Sequence, residues 1–222
     1  MVPRQSRLCL SKKMGRHGRL FLFGDTMNSE QKDMRYIVVD RTHFGLLAQA
    51  SALIGSYALQ GLMLVQDPEK LVSMTETGTL VLALQSINDV QQVVGSIAIT
   101  VQWPDGKREL GAWAVQHELR RHGVGIGLLE ALSVHLANSP NGLQDIIAFA
   151  NHNSGPIFAR LGATPLSHSL MHKDVFIPCQ SCHCDKSCLP LGQMCVDTIY
   201  NVSPVMRQLA EEYSQKLLLV IQ

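Results

Sequence analysis

The apolar positions of this chain alternate between short runs and helical stripes. Residues 35–40, Arg-Tyr-Ile-Val-Val-Asp, have the β-branched content of a strand. Thr42 then stands as a helix cap ahead of Leu46, Leu47, Leu53, Ile54 and Ala58 at helical spacing. Asp67-Pro68-Glu69 opens a short second helix, with proline in the first turn. Residues 79–84 read as a strand. Residues 93–103 read as another, and Pro104-Asp105-Gly106-Lys107 turns it back as residues 108–116. Leu128, Leu129, Leu132 and Leu136 then mark one side of a helix over 126–137, which Asn138-Ser139-Pro140-Asn141-Gly142 ends. A buried strand over 143–150, a helix over 154–161 and a last strand region over 166–177 follow. Ser203-Pro204 starts a terminal helix carrying Leu209, Ala210, Tyr213 and Leu217, with residues 216–222 readable instead as an edge strand.

One stretch interrupts this alternation with unusual chemistry. Between the strand ending near Val115 and the helix beginning near Ile126 lie Arg120-Arg121-His122-Gly123-Val124-Gly125. Glycine lets the backbone turn tightly and lets a ligand approach bare N–H groups. A helix start offers unpaired amides and the positive end of a dipole, which suits phosphate. The pattern therefore predicts a pyrophosphate cradle at a strand-to-helix turn. A P-loop is excluded, because no lysine follows these glycines. A dinucleotide fingerprint fits Gly123 and Gly125, and Asp145 stands at a suitable distance for a ribose contact, but Leu128 replaces the third glycine. The third reading is a coenzyme A loop, R-x-x-G-x-G, with Leu128 at the apolar position that follows.

The downstream sequence favours the third. Asn151, Ser154, Ile157, Phe158 and Leu161-Gly162-Ala163 resemble the N-x-x-A-x-x-L-Y-x-x-L-G-F signature of the GNAT superfamily of acyl-CoA-dependent N-acetyltransferases. Together with the glycine turn, the resemblance covers roughly residues 35–175. It implies an α/β fold of the α+β type: a mixed central sheet, splayed at the cofactor groove, with helices on both faces. It divides the chain into a basic head (1–33), an acetyltransferase domain (34–177) and a cysteine-rich C-terminal extension (178–222). It also implies that acetyl-CoA is held by Arg120, Arg121, His122, Gly123, Val124, Gly125 and Ile126, that the backbone near Val115 pairs with the pantetheine arm, and that Asn151 and Phe158 border it. In this family a neutral amine attacks the thioester carbonyl within a ternary complex. A base takes the amine proton, and a tyrosine of the last helix often protonates the leaving thiolate.

This chain departs at that tyrosine: the position is Phe158, which has no proton to give. Tyr200, Tyr57 and the tail cysteines are alternative donors. The base candidates are Glu109 on the central hairpin and His117 and Glu118 just beyond it. His152 and Asn153 stand beside Asn151 and read as surface residues. The expected function is transfer of an acetyl group from acetyl-CoA to a primary amine. The alternative is a non-catalytic module that senses acyl-CoA or metal.

Composition changes this picture little, and charge changes it at one end. Six of the 19 Lys and Arg lie in residues 1–24 without a single acid, so the remainder carries 18 acids against 13 bases. A mildly acidic body gives no support for nucleic-acid binding and suits a cationic acceptor. The head reads as a disordered tail, an over-long start ahead of Met27 or Met34, or a transit peptide, though it lacks a clear amphipathic period. No apolar run approaches the roughly 20 residues of a membrane span. The expected setting is the cytoplasm, with acetyl-CoA and an amine as partners and a homodimer left open. Five of the six cysteines, Cys179, Cys182, Cys184, Cys188 and Cys195, crowd together with His183 among them. No secretory signal accompanies them, so a disulfide framework is not expected. Cys179-x-x-Cys182 has a metal-knuckle spacing that suits zinc, although the full pattern lacks a paired layout. Reactive thiols and a plain reduced loop stay open beside a zinc site.

Overall fold

The computed structural model describes residues 34–140, 142–151, 153–171, 174 and 198–220. Seven strands, β1 (Met34–Val38), β2 (Leu80–Ile87), β3 (Val90–Gln102), β4 (Arg108–Val115), β5 (Ile146–Ala150), β6 (Thr164–Leu166) and β7 (Thr198–Asn201), form one sheet. Among the described residues five helices accompany them: α1 (Phe44–Leu59), α2 (Pro68–Glu76), α3 (Val124–Ala137), α4 (Gly155–Arg160) and α5 (Ser203–Val220). The sheet order is β1-β2-β3-β4-β5-β7-β6, with β4 and β5 parallel and every other pair antiparallel.

Both faces of the sheet centre are covered, so β2 reads Leu-Val-Leu-Ala-Leu without polar interruption. Leu80, Leu82 and Leu84 point to one side, where Leu47, Ala50 and Ile54 of α1 meet Leu71 and Met74 of α2. Val81 and Ala83 point to the other, against Leu128, Leu129 and Leu132 of α3 and Met206 and Leu209 of α5. The mixed sheet with helices on both faces agrees with the architecture expected from the sequence. A third apolar cluster, Trp103, Ile147, Met171 and Ile199, lies under the β5–β7 end.

The second helix opens as its residues predict, with the Asp67 side chain accepting from the Glu69 N–H at 2.9 Å. At the first helix Asp40, rather than Thr42, takes the capping position. It accepts from the Thr42 N–H at 2.8 Å and starts a single 3-10 turn ahead of α1. The strand expected over 143–150 begins only at Ile146, because Asp145 sits at φ +50. In the region expected as a strand over 166–177, β6 ends at Leu166 and a 3-10 turn, His168–Leu170, follows, while residues 172–173 and 175–177 lie outside the described residues.

The C-terminal region is part of the sheet. β7 is inserted between β5 and β6, and α5 packs on α3. The buried Ser203 hydroxyl accepts from the Ile146 N–H at 2.7 Å, tying the start of α5 to the start of β5. A boundary at residue 177 thus divides one sheet. The basic head and the stretch from Cys179 to Cys195, with His183, lie outside the described residues.

Candidate functional site

The site grows from an irregularity in β4. Its pairing with β5 is confined to Arg108–Leu110 against Ile146–Ala148, so the two strands part beyond Leu110. The divergence begins where β4 carries an extra residue against β3: Ser96 lies opposite Ala114 and Ala98 opposite Gly111. Ala112 absorbs it at φ +49, a left-handed conformation costing a non-glycine residue roughly 1–2 kcal/mol. The buried Ser96 hydroxyl donates to the Ala112 carbonyl at 2.8 Å and secures the bulge. Further along, the Gln116 N–H donates to the Val94 carbonyl at 2.8 Å. Neighbouring residues of a strand present their backbone groups to opposite edges, so those of Val115 are turned to the splay.

Beyond Val115 the chain makes a single 3-10 turn, His117–Leu119, and reaches the glycine stretch. Arg121 stands at φ +67 and Gly123 at φ +83, and these two left-handed residues swing the chain into α3. Gly123 occupies the N-cap position and brings no side-chain cap, so the first amides of α3 have no side-chain partner. Arg120, Arg121, His122 and Gly123 are exposed, Gly125 and Ile126 half-buried, and Val124 buried. A Cβ at Gly125 would stand 3.4 Å from the Trp113 indole nitrogen, an ordinary contact, so Gly125 lies directly against β4. An uncapped, exposed helix start at the end of a splayed strand suits the phosphates and amide-rich arm of coenzyme A.

The three base candidates are separated. Glu109 lies at the far end of β4 from the glycine turn, facing Thr100 and Lys70. Burial raises its pKa, while Lys70 and a hydrogen bond from Thr100 oppose the shift. His117 and Glu118 are exposed at the glycine-turn end. They line a pocket of about 520 Å³ with Leu53, Ser56, Tyr57 and Arg120.

Asn151 closes the β5 side. Its amide donates to the Leu62 carbonyl at 2.7 Å, and its oxygen accepts from the N–H groups of Asn153 at 2.9 Å and Ser154 at 3.2 Å. Phe158, 2% exposed, packs between Trp113 at 5.2 Å and Tyr200 at 5.8 Å, ring centre to ring centre. Tyr200 thus reaches the position next to Phe158 from β7, a placement that sequence separation hides. Tyr57 is the other placement the sequence conceals. Its hydroxyl donates to the Val115 carbonyl at 2.7 Å, and the Arg120 guanidinium lies 4.8 Å over its ring. Among the described residues, no group of three or more His, Cys, Asp or Glu is placed to hold a metal ion, and no helix is long and apolar enough to cross a membrane.

Residues 62–163 match the family model described as the acetyltransferase (GNAT) family. No curated protein sequence matches the chain. Among solved structures, the Mycobacterium tuberculosis protein Rv2747, in complex with CoA and a second ligand, is similar over 75% of this chain and 96% of its own. The identity is 20% and the TM-score 0.53. N-acetylglutamate synthase from Neisseria gonorrhoeae, complexed with coenzyme A and N-acetyl-glutamate, is similar over 75% of this chain and 34% of its own, at 17% identity and TM-score 0.53. These likenesses are likenesses of fold. The matched segment runs from within the α1–α2 connection through α4 and contains both the splayed strand and the glycine turn. Over these residues the chain is similar to an acetyltransferase domain of the GNAT family.

Proposed function

We propose that this chain is an N-acetyltransferase that moves the acetyl group of acetyl-CoA to a primary amine by direct attack in a ternary complex. The observation that carries this reading is the parting of β4 from β5 along a strand that ends in an uncapped helix start. Phosphates held at one end of β4 leave the other end for chemistry. Six residues separate Val115 from Glu109, or about 20 Å of strand. A ligand with a long arm between phosphate and reactive atom fits that separation. The solved complexes of the M. tuberculosis and N. gonorrhoeae proteins contain coenzyme A, which supports the choice.

In this reading the amides of residues 121–126 receive the pyrophosphate, and Arg120 and Arg121 supply positive charge beside it. The edge of β4 near Val115 pairs with the pantetheine arm. Asn151 holds the turn that borders the arm, and Phe158 packs beside the sulfur. Glu109 takes the proton of the attacking amine, directly or through water. A carboxyl with a raised pKa is a better match to a base working near neutrality. His117 and Glu118 sit at the phosphate end and do not take that role. The amine nitrogen bonds to the acetyl carbon as the carbon–sulfur bond breaks. The thiolate then takes a proton from Tyr200, whose ring lies against Phe158. The products are an acetamide and free coenzyme A, and solvent restores both protein groups.

The second reading, a domain that binds acyl-CoA without turnover, draws on Phe158 in place of a tyrosine. Purified protein with acetyl-CoA and a panel of small amines, amino acids, peptide N-termini and lysine peptides separates the two. Release of free thiol that depends on the amine supports transfer, and acetyl-CoA binding without thiol release on any amine supports the silent module. Cys179, Cys182, Cys184, Cys188 and Cys195, with His183, add a zinc site to the proposal. Metal analysis of reduced, tag-free protein tests it: about one equivalent is expected, and five freely titrating thiols without metal would contradict it.

A further inference from the structure

We propose that Tyr57 is a positioning residue for the cofactor, holding both the end of β4 and the arginine that faces the phosphates. This rests on the acyl-CoA reading above and adds a residue that lies outside the glycine turn and far from it in sequence. Tyr57 is 6% exposed in the last turn of α1, and that helix packs on β3 and β4. Its hydroxyl donates to the Val115 carbonyl at 2.7 Å. Val115 lies five residues beyond Leu110, the last β4 residue paired with β5, and its backbone faces the splay. β3 pairs with one edge of β4 here, but no strand partners the other edge, where the phenol supplies a fixed partner. The carbonyl keeps a second lone pair, and the N–H of Val115 stays available to an amide-bearing ligand.

The same ring carries the Arg120 guanidinium on its face, 4.8 Å from the centroid. Arg120 is exposed and borders the pocket of about 520 Å³, so an unguided side chain has ample room to wander. An arginine already confined over a buried ring loses less rotamer freedom when it meets phosphate. The end of α1 and the connection after it are in turn fixed on both sides of the splay. Tyr57 bonds to the β4 end, and the Leu62 carbonyl accepts from Asn151 beyond β5 at 2.7 Å. Tyr57 therefore links a rigid helix end to the two features that a phosphate-anchored ligand uses.

The test is a double-mutant cycle on acetyl-CoA affinity with wild type, Tyr57→Leu, Arg120→Ala and the double variant, plus Tyr57→Phe alone. In wild type, Arg120→Ala is expected to weaken binding about tenfold; in the Tyr57→Leu background it is expected to cost less than about threefold, since the ring that aims it is gone. Tyr57→Phe keeps the ring and removes the Val115 bond, and should raise the acetyl-CoA KM about threefold with kcat unchanged. Packing alone would lower Tm and leave the two substitutions additive. Additive losses, or a Tyr57→Phe variant with wild-type KM, overturn the proposal. If Tyr57→Leu does not fold, the Tyr57→Phe KM decides it. Failure of wild type to bind acetyl-CoA overturns the acyl-CoA reading instead, and the two failures are told apart by that first arm.

Discussion

At the scale of single residues, Glu109 combines burial with a position at the end of β4 far from the glycine turn. Burial raises its pKa above the ordinary carboxylate value. Between the unfolded and folded values the native state binds the extra proton, so stability falls as pH rises through that window. Glu109→Gln removes this dependence. It should raise Tm at neutral pH, leave Tm unchanged at pH below the unfolded value, and lower turnover by about a hundredfold or more. An unchanged turnover with the fold intact would move the base elsewhere. Phe158 and Tyr200 form the complementary pair. Tyr200→Phe should reduce kcat about tenfold or more while acetyl-CoA affinity holds. Phe158→Tyr should leave activity unchanged or raise it; a hundredfold loss in a folded variant would show that this environment rejects a hydroxyl. The replacement of tyrosine by Phe158 was legible in the sequence because a motif fixes its spacing from Asn151. The placement of Tyr200 was not, since contact across β5 and β7 leaves no local trace in the chain.

At the scale of elements, the bulge of β4 sets the splay, and its support comes from β3. Ser96→Ala leaves the buried Ala112 carbonyl without its 2.8 Å donor and is expected to cost about 1–3 kcal/mol of stability. Acetyl-CoA affinity should fall with it, because the edge near Val115 loses its fixed course. Chemical denaturation and a cofactor titration on the same variant check both. Neither Ser96 nor Ala112 stands out by residue type, so the splay was expected only through family resemblance. Element types were otherwise well marked where special residues punctuate the pattern, as at Asp67-Pro68 and Pro104–Lys107. They were blurred where a single dihedral decides. Asp145 at φ +50 shortens β5, and Asn88 and Asp89 at φ +51 and +63 make the two-residue turn that lengthens the β2–β3 hairpin beyond its apolar stretch.

At the scale of the whole molecule, the sheet draws its strands from both ends of the described chain, and this sets the limits of local reading. β7 has only four residues and enters between β5 and β6, while α5 joins α3 through Met206 and Leu209. Periodicity revealed the helix after Pro204 but could not reveal that the strand before it completes the sheet. The glycine turn, by contrast, was legible because its chemistry is continuous in sequence. The proposed function places phosphates at one end of β4 and an amine at the other. Isothermal titration of the wild-type protein and of Gly125→Val with acetyl-CoA, with NADH as the competing ligand class, tests this arrangement most directly. Valine at 125 meets the Trp113 indole beside the helix start and should weaken acetyl-CoA binding tenfold or more, about 1.4 kcal/mol, in a variant that retains its fold. Saturable acetyl-CoA binding to wild type, lost in the variant and absent for NADH, is the predicted result; tight NADH binding, or equal acetyl-CoA affinity in both proteins, would contradict it.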